Sequence, residues 1–246
     1  MHFRMNKRLN IVFVALGLFA CRPDGDKALF DAMVKASQSG NPEAQYHVGM
    51  MLNNGIGVRK DSAKAFEWFQ NASKAGDPLA NYKVGCYLGG QFEGVVPIDH
   101  EGSLQHKLVA ANAGYALAQM DVGNAYARQG RAEEAVRWWT LAAAQGNPTA
   151  LYNLSVSYKE GKGAPKDLAL AYAHFKLAKL VSEKKGSPNA QAGLDELKRE
   201  MSAADLSRAE QFVTSWKPNA TVLTKKAADG LAAARNLISE NDAQNN

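Results

Sequence analysis

Cysteine is close to absent: the 246 residues hold two, Cys21 and Cys86. Two thiols cannot form the disulfide framework of a small secreted domain, and their placement matches no zinc-binding spacing. Histidine is nearly as sparse, and the five present (His2, His47, His100, His106 and His174) include no pair at a metal-ligand spacing. No metal and no cofactor is expected. A Gly-x-Ser-x-Gly elbow and a phosphate-cradling loop are both missing. The stretch Gly55-Ile-Gly57 follows a helical pattern rather than a strand and reads as a turn. No catalytic residue is assigned, and the chain is expected not to be an enzyme. A basic stripe is missing too. Of the net charge of +5, three charges sit at Arg4, Lys7 and Arg8, and the rest of the chain sets 26 basic against 24 acidic side chains. Nucleic acid is therefore not an expected partner. What remains, 46% hydrophobic and 22% charged, is the composition of a chain that buries a core.

Long apolar runs are also lacking. The one at the N-terminus, Ile11–Ala20, has ten residues, against about 20 for a membrane-spanning helix. With its basic flank it reads as the leader of an exported protein, residues 1–20. The leader ends in Leu18-Phe19-Ala20-Cys21, which resembles the bacterial lipobox. The resemblance implies that Cys21 is the lipidated first residue of the mature chain, anchored in the membrane by several acyl chains. It further implies a periplasmic protein at the outer membrane, because Arg22 is not acidic. Cys86 is then the one thiol left, within the apolar pattern Val84–Leu88, and reads as a small buried hydrophobe.

Internal periodicity is the strongest feature present. Gly40, Gly76, Gly114, Gly146 and Gly186 recur at intervals of 36, 38, 32 and 40 residues, each followed four positions later by alanine. A second glycine follows at Gly49, Gly85 and Gly123, with Ser155 in the fourth unit. Each unit divides into two helices. Gly40-Asn-Pro42 opens a first helix with a capping side chain and a proline suited to its first turn. Asp61 and Asp167 are placed to cap second helices, whose alanines and aromatics, such as Ala65, Trp68, Phe69 and Ala72, share one face. That face reads as packing between layers. Residues 21–39 comprise anchor, linker and a lone capping helix, 40–187 four repeats, and 188–218 two closing helices. Residues 220–238 read as one amphipathic helix, and 240–246 as a disordered tail within the last segment, 219–246.

The motifs Ala44-Gln-Tyr46, Gly55-Ile-Gly-Val58, Lys60-Asp61 and Trp68-Phe69 resemble the Sel-one-like repeat, a relative of the tetratricopeptide repeat, over about residues 25–216. The resemblance implies an all-α fold, an α/α solenoid of helix-turn-helix repeats in a right-handed superhelix, whose curved surface binds other proteins. It implies a non-catalytic scaffold on a lipid anchor; related lipoproteins include immunity proteins that neutralise phospholipase effectors injected by rival bacteria through type VI secretion. Host contact, or an envelope enzyme such as a peptidoglycan or lactam hydrolase, stays open as the alternative. Against the enzyme, relatives assigned to that chemistry carry a cysteine pair in each repeat and this chain has none.

Departures from the pattern locate the candidate contact residues. The second unit carries His106-Lys107 where an aromatic pair belongs, and the third has a short turn at Gln129-Gly-Arg131. Between Tyr87 and Asp99 a longer loop holds Phe92, Val95, Val96 and Ile98, expected to be exposed for a protein partner. On the concave side the first helices offer Tyr46, Tyr82, Gln119 and Tyr152.

Overall fold

A computed structural model describes residues 23–182 and 188–244. Cys21, the leader and Gly186 lie outside the described residues. Within them every regular element is a helix, in the order α1 (Pro23–Gln38), α2 (Pro42–Asn54), α3 (Ser62–Lys74), α4 (Pro78–Leu88), α5 (His100–Asn112), α6 (Ala116–Arg128), α7 (Ala132–Ala144), α8 (Pro148–Glu160), α9 (Leu168–Val181), α10 (Pro188–Glu200), α11 (Ala203–Ser215), α12 (Val222–Asp229) and α13 (Leu231–Gln244). The pairs α2/α3, α4/α5, α6/α7 and α8/α9 are the four repeats, stacked as an α/α solenoid in which each helix packs on its neighbours in sequence.

Local chemistry explains the pairs. The side chains of Asn41, Asp77 and Asn147 accept from the backbone N–H three residues on, at 3.0, 2.6 and 2.9 Å, with proline next in each first turn. Asp61, Asp99 and Asp167 do the same for α3, α5 and α9. Glycines then let paired helices close. A methyl group on Gly49 would come within 2.7 Å of the Phe69 ring, so the ring lies directly on the α2 backbone. Phe69 is fully buried, which contributes about 1.5–3 kcal/mol for one such side chain. Trp139 lies on Gly123 in the same way.

Past α11 the structure differs from expectation. Residues 217–244 turn back along the stack, and they form two helices rather than one. Gly230 interrupts them at φ +52. Helix α13 runs on to Gln244, so residues 240–244 are not a disordered tail. The physical reason is burial: Ala234 is fully enclosed in the core cluster of the first repeats, and Leu223, Leu231 and Ile238 pack against it. Pro218 meets Gly146, and Thr221 and Thr224 meet Gly114. Lys226 pairs with Glu43 at 2.5 Å, and Arg235 with Asp26 at 3.5 Å.

This return supplies a missing cap. At α6 the sequence reads Gly114-Tyr115-Ala116, with no Asx-Pro and no side-chain cap from Tyr115. The hydroxyl of Thr224 accepts from the Ala116 N–H at 3.0 Å instead, from 108 residues away. Thr224→Val keeps the shape and removes the acceptor, so a loss of about 1 kcal/mol is expected. Urea unfolding should show it as a lower midpoint with unchanged slope.

Candidate functional site

Two surfaces stand out, the outward side of the first helices and a cleft between repeats. The expected contact residues divide unevenly between them and the core. Tyr46 is buried, with its ring 6.0 Å from Phe69. Burial is also what pushes its phenol well above the ordinary range. Gln119 is buried as well, donating to the Ala111 carbonyl at 3.2 Å and accepting from Gln145 at 2.8 Å. Tyr82 is half-buried and points its hydroxyl at Asp121, 3.4 Å away. These three are internal rather than offered to a partner, because the first-helix tyrosines are the rings that fill the layer. Tyr152 alone of the four faces outward, 48% exposed, edge-on to Phe175. Val156, one turn on, and Leu117 on α6 are exposed as well.

The long loop is likewise turned inward. Phe92 stacks on Tyr87 at 4.0 Å and 17°, and Tyr87, fully buried, touches Phe66 and Phe69. Val95 and Val96 pack against the same cluster. The expectation that they are exposed is corrected: a loop closed by the Asp99 N–H donating to the Leu88 carbonyl at 2.9 Å folds its apolar side onto the aromatics below. Ile98 remains 64% exposed.

The cleft, about 580 Å³, is lined by His100, Ser103, Lys107, Asp121 and Arg128 among others. Its origin lies in loop length. In the first and fourth repeats, Gly57 and Gly163 press their backbone against the start of the preceding repeat's second helix, at Asp26 and Ala132. The turn Gln129-Gly-Arg131 is too short to reach α5 that way, and space opens over His100 and Ser103. At the wall sits Lys107 in place of the aromatic ring, lying on Gly85 and paired with Asp121 at 2.8 Å. Its ammonium is 5.9 Å from the Tyr82 ring centroid. Both charges are largely enclosed, with side chains 15% and 17% exposed.

The remaining candidates for chemistry are structural. Cys86 is buried, and burial raises its thiol above the ordinary value, so the reactive thiolate is scarce. A maleimide should label the folded chain far more slowly than the chain in denaturant, as read by mass spectrometry. His106 Nδ1 lies 2.9 Å from Asn81 Oδ1, and His174 Nδ1 2.8 Å from the Leu170 carbonyl. Burial holds both imidazoles below the usual 6.5. A base whose pKa is lowered by folding takes up more protons unfolded, so stability present above about pH 6.5 is lost as pH falls. His174→Phe should flatten that acid limb of the urea-midpoint curve. Among the described residues no group of three or more histidine, cysteine or carboxylate side chains is placed to hold a metal ion. Nor is any described helix long and apolar enough to cross a membrane.

The run of residues 217–244 along the first-helix ends is the feature sequence reasoning did not find. Its signal was at Gly114, where the one interior repeat without Asx-Pro needs a cap from elsewhere.

Comparison with known proteins fits this architecture. A family model, the Sel1 repeat, matches residues 42–77, 78–115, 116–147 and 148–180. A solved Sel1 repeat protein from Oxalobacter formigenes is 29% identical, with a TM-score of 0.61, covering 70% of this chain and 49% of that one. A protective antigen present in uropathogenic Escherichia coli strains, displaying an SLR fold, is 21% identical, with a TM-score of 0.59, over 82% of this chain and 50% of the antigen. Among curated proteins, DAP3-binding cell death enhancer 1 of Mus musculus is 33% identical over 170 residues, 68% of this chain. The chain spans about a third of the length of that relative, 33%.

Proposed function

From the premise that this chain belongs to the Sel1 repeat family, we propose that it is a non-catalytic scaffold that binds a protein partner from the cell envelope. The observation that carries the reading is the division of labour in the first helices. Their alanines, glycines and most tyrosines are committed to stacking, while Leu117, Tyr152 and Val156 leave apolar surface outward on successive repeats. Apolar side chains held outward on a rigid stack form a contact surface. In this reading Cys21 tethers the scaffold at the periplasmic side of the outer membrane. The narrower role that goes with it is immunity, holding an injected phospholipase inactive.

Affinity capture from envelope extract, using the chain from Cys21 onward, tests the reading. A specific protein should be retained, and Tyr152→Asp should reduce its yield without changing the helical circular dichroism. Retention of no protein, or turnover of phospholipid, peptidoglycan or lactam by the purified chain, contradicts it. The anchor is tested separately by Cys21→Ser, which should release the protein from the membrane fraction. Co-expression with a candidate phospholipase, scored by cell survival, tests immunity.

A further inference from the structure

The C-terminal segment lies in a groove along the N-terminal ends of the first helices, and the nature of its hold there has consequences. Polar contacts fasten its start, and beyond them partly buried Leu223, Leu231, Leu237 and Ile238 pack on the core. Thr221 Oγ1 donates to the Gly114 carbonyl at 2.9 Å, Thr224 Oγ1 donates to Gln145 Oε1 at 2.7 Å, and the Thr221 N–H donates to that same oxygen at 3.0 Å. Two ion pairs, Lys226 with Glu43 and Arg235 with Asp26, lie farther along. Helix α12 has no buried residue, and its Val222 is 82% exposed. Among its described side chains only Ala234 is fully buried, with Ala233 at 9% exposure, and the larger apolar ones stay partly exposed. A segment held this way opens at lower free energy than the repeats beneath it.

The groove wall is also incompletely matched to its occupant. His47 has a side chain 5% exposed, yet its Nε2 has no hydrogen-bond partner and stands 3.7 Å from Glu43 Oε1. Asp77, buried at the start of α4, feels the Lys226 charge as well. Lys226 brings one ammonium to this acidic corner. A guanidinium, with five donors in a planar fork, can engage both oxygens of Glu43 where the ammonium meets one.

We propose that residues 217–244 are an exchangeable internal occupant of this groove, and that the protein partner presents a basic, alanine-lined helix that takes their place. The proposal rests on the scaffold reading above and names the surface and the chemistry of the partner. An exposed apolar set, Leu117, Tyr152 and Val156, lies on α6 and α8. A partner docks on that set and displaces the segment from the groove. Until then the segment covers Glu43 and caps α6, so the free protein is self-occupied.

The probe is a fluorescent peptide of residues 217–244 carrying Lys226→Arg, titrated into the full chain and read by anisotropy. Loosening the resident segment by Lys226→Glu in the chain should tighten peptide binding about tenfold, since the competent fraction rises. Glu43→Lys in the chain should abolish binding, with circular dichroism confirming an intact stack. The lysine form of the peptide should bind more weakly than the arginine form. Failure of the peptide to bind the Lys226→Glu chain overturns the proposal and makes the segment a permanent cap. So does hydrogen exchange in α12 and α13 as slow as in α4. Saturating peptide should also strip the captured partner. A partner that stays bound uses another surface, which overturns the proposal and leaves the scaffold reading standing. If no partner is captured at all, the scaffold reading fails by itself while the titration still decides whether the segment exchanges.

Discussion

Asp121→Ala is expected to destabilise the fold by about 3 kcal/mol, the lower end of what breaking a buried ion pair removes. The mutation deletes three atoms of side chain, so lost packing is a small part of that figure. Most of it is the Lys107 ammonium, left without its carboxylate while its stem stays on Gly85 and with water reaching it from the cleft side alone. The contrasting variant separates the two contributions. Lys107→Phe with Asp121→Asn brings in the ring that Phe69 supplies in the first repeat and the amide that Asn153 supplies in the fourth. No charge is left behind, so its stability should equal or exceed that of the parent by about 1 kcal/mol, as apolar replacement of buried pairs often does. Urea midpoints of the three proteins measure it. A double variant as unstable as Asp121→Ala would mean that Gly85 does not accept a ring as Gly49 does.

That comparison also shows what was legible beforehand. The helix pairs, their caps and the place of each glycine follow from local chemistry repeated four times. Asn41, Asp77 and Asn147 cap as their spacing says, because a capping side chain and its N–H lie three residues apart. The displacement of an aromatic by Lys107 was visible in the sequence too, but its partner was not. Asp121 lies on the next repeat, and nothing local joins the two. The direction of the long loop escaped for another reason, since its partner is near in sequence. Phe92 and Val95 read as surface because loops lie outside, whereas the stack on Tyr87 depends on a ring contributed by α4. The course of residues 217–244 is the extreme case, since contacts between Thr224 and Ala116 span 108 positions. Periodicity fixes neighbours one repeat apart and is silent beyond that.

Gly57→Ala should have a comparable effect, and its size has two separable sources. Gly57 holds φ +67, where a side chain costs roughly 1 kcal/mol. Its added methyl would also overlap the backbone at Asp26, in the first turns of α1, which cannot swing aside as a flexible side chain does. Overpacking of that kind adds about 2 kcal/mol, giving about 3 in all. Gly40→Ala is the control. Gly40 has a similar φ of +82, and nothing lies within 4 Å of the added methyl. That variant should therefore lose only the roughly 1 kcal/mol of backbone strain. The difference between the two isolates the pressure of the turn on α1. Relief comes most readily by moving α1, since it is the lone helix at the end of the stack. Hydrogen exchange in Gly57→Ala should accordingly rise first in α1 and in α13, which Arg235 ties to Asp26. Unchanged exchange there, with the stability loss intact, would mean that the strain is taken up within the turn itself.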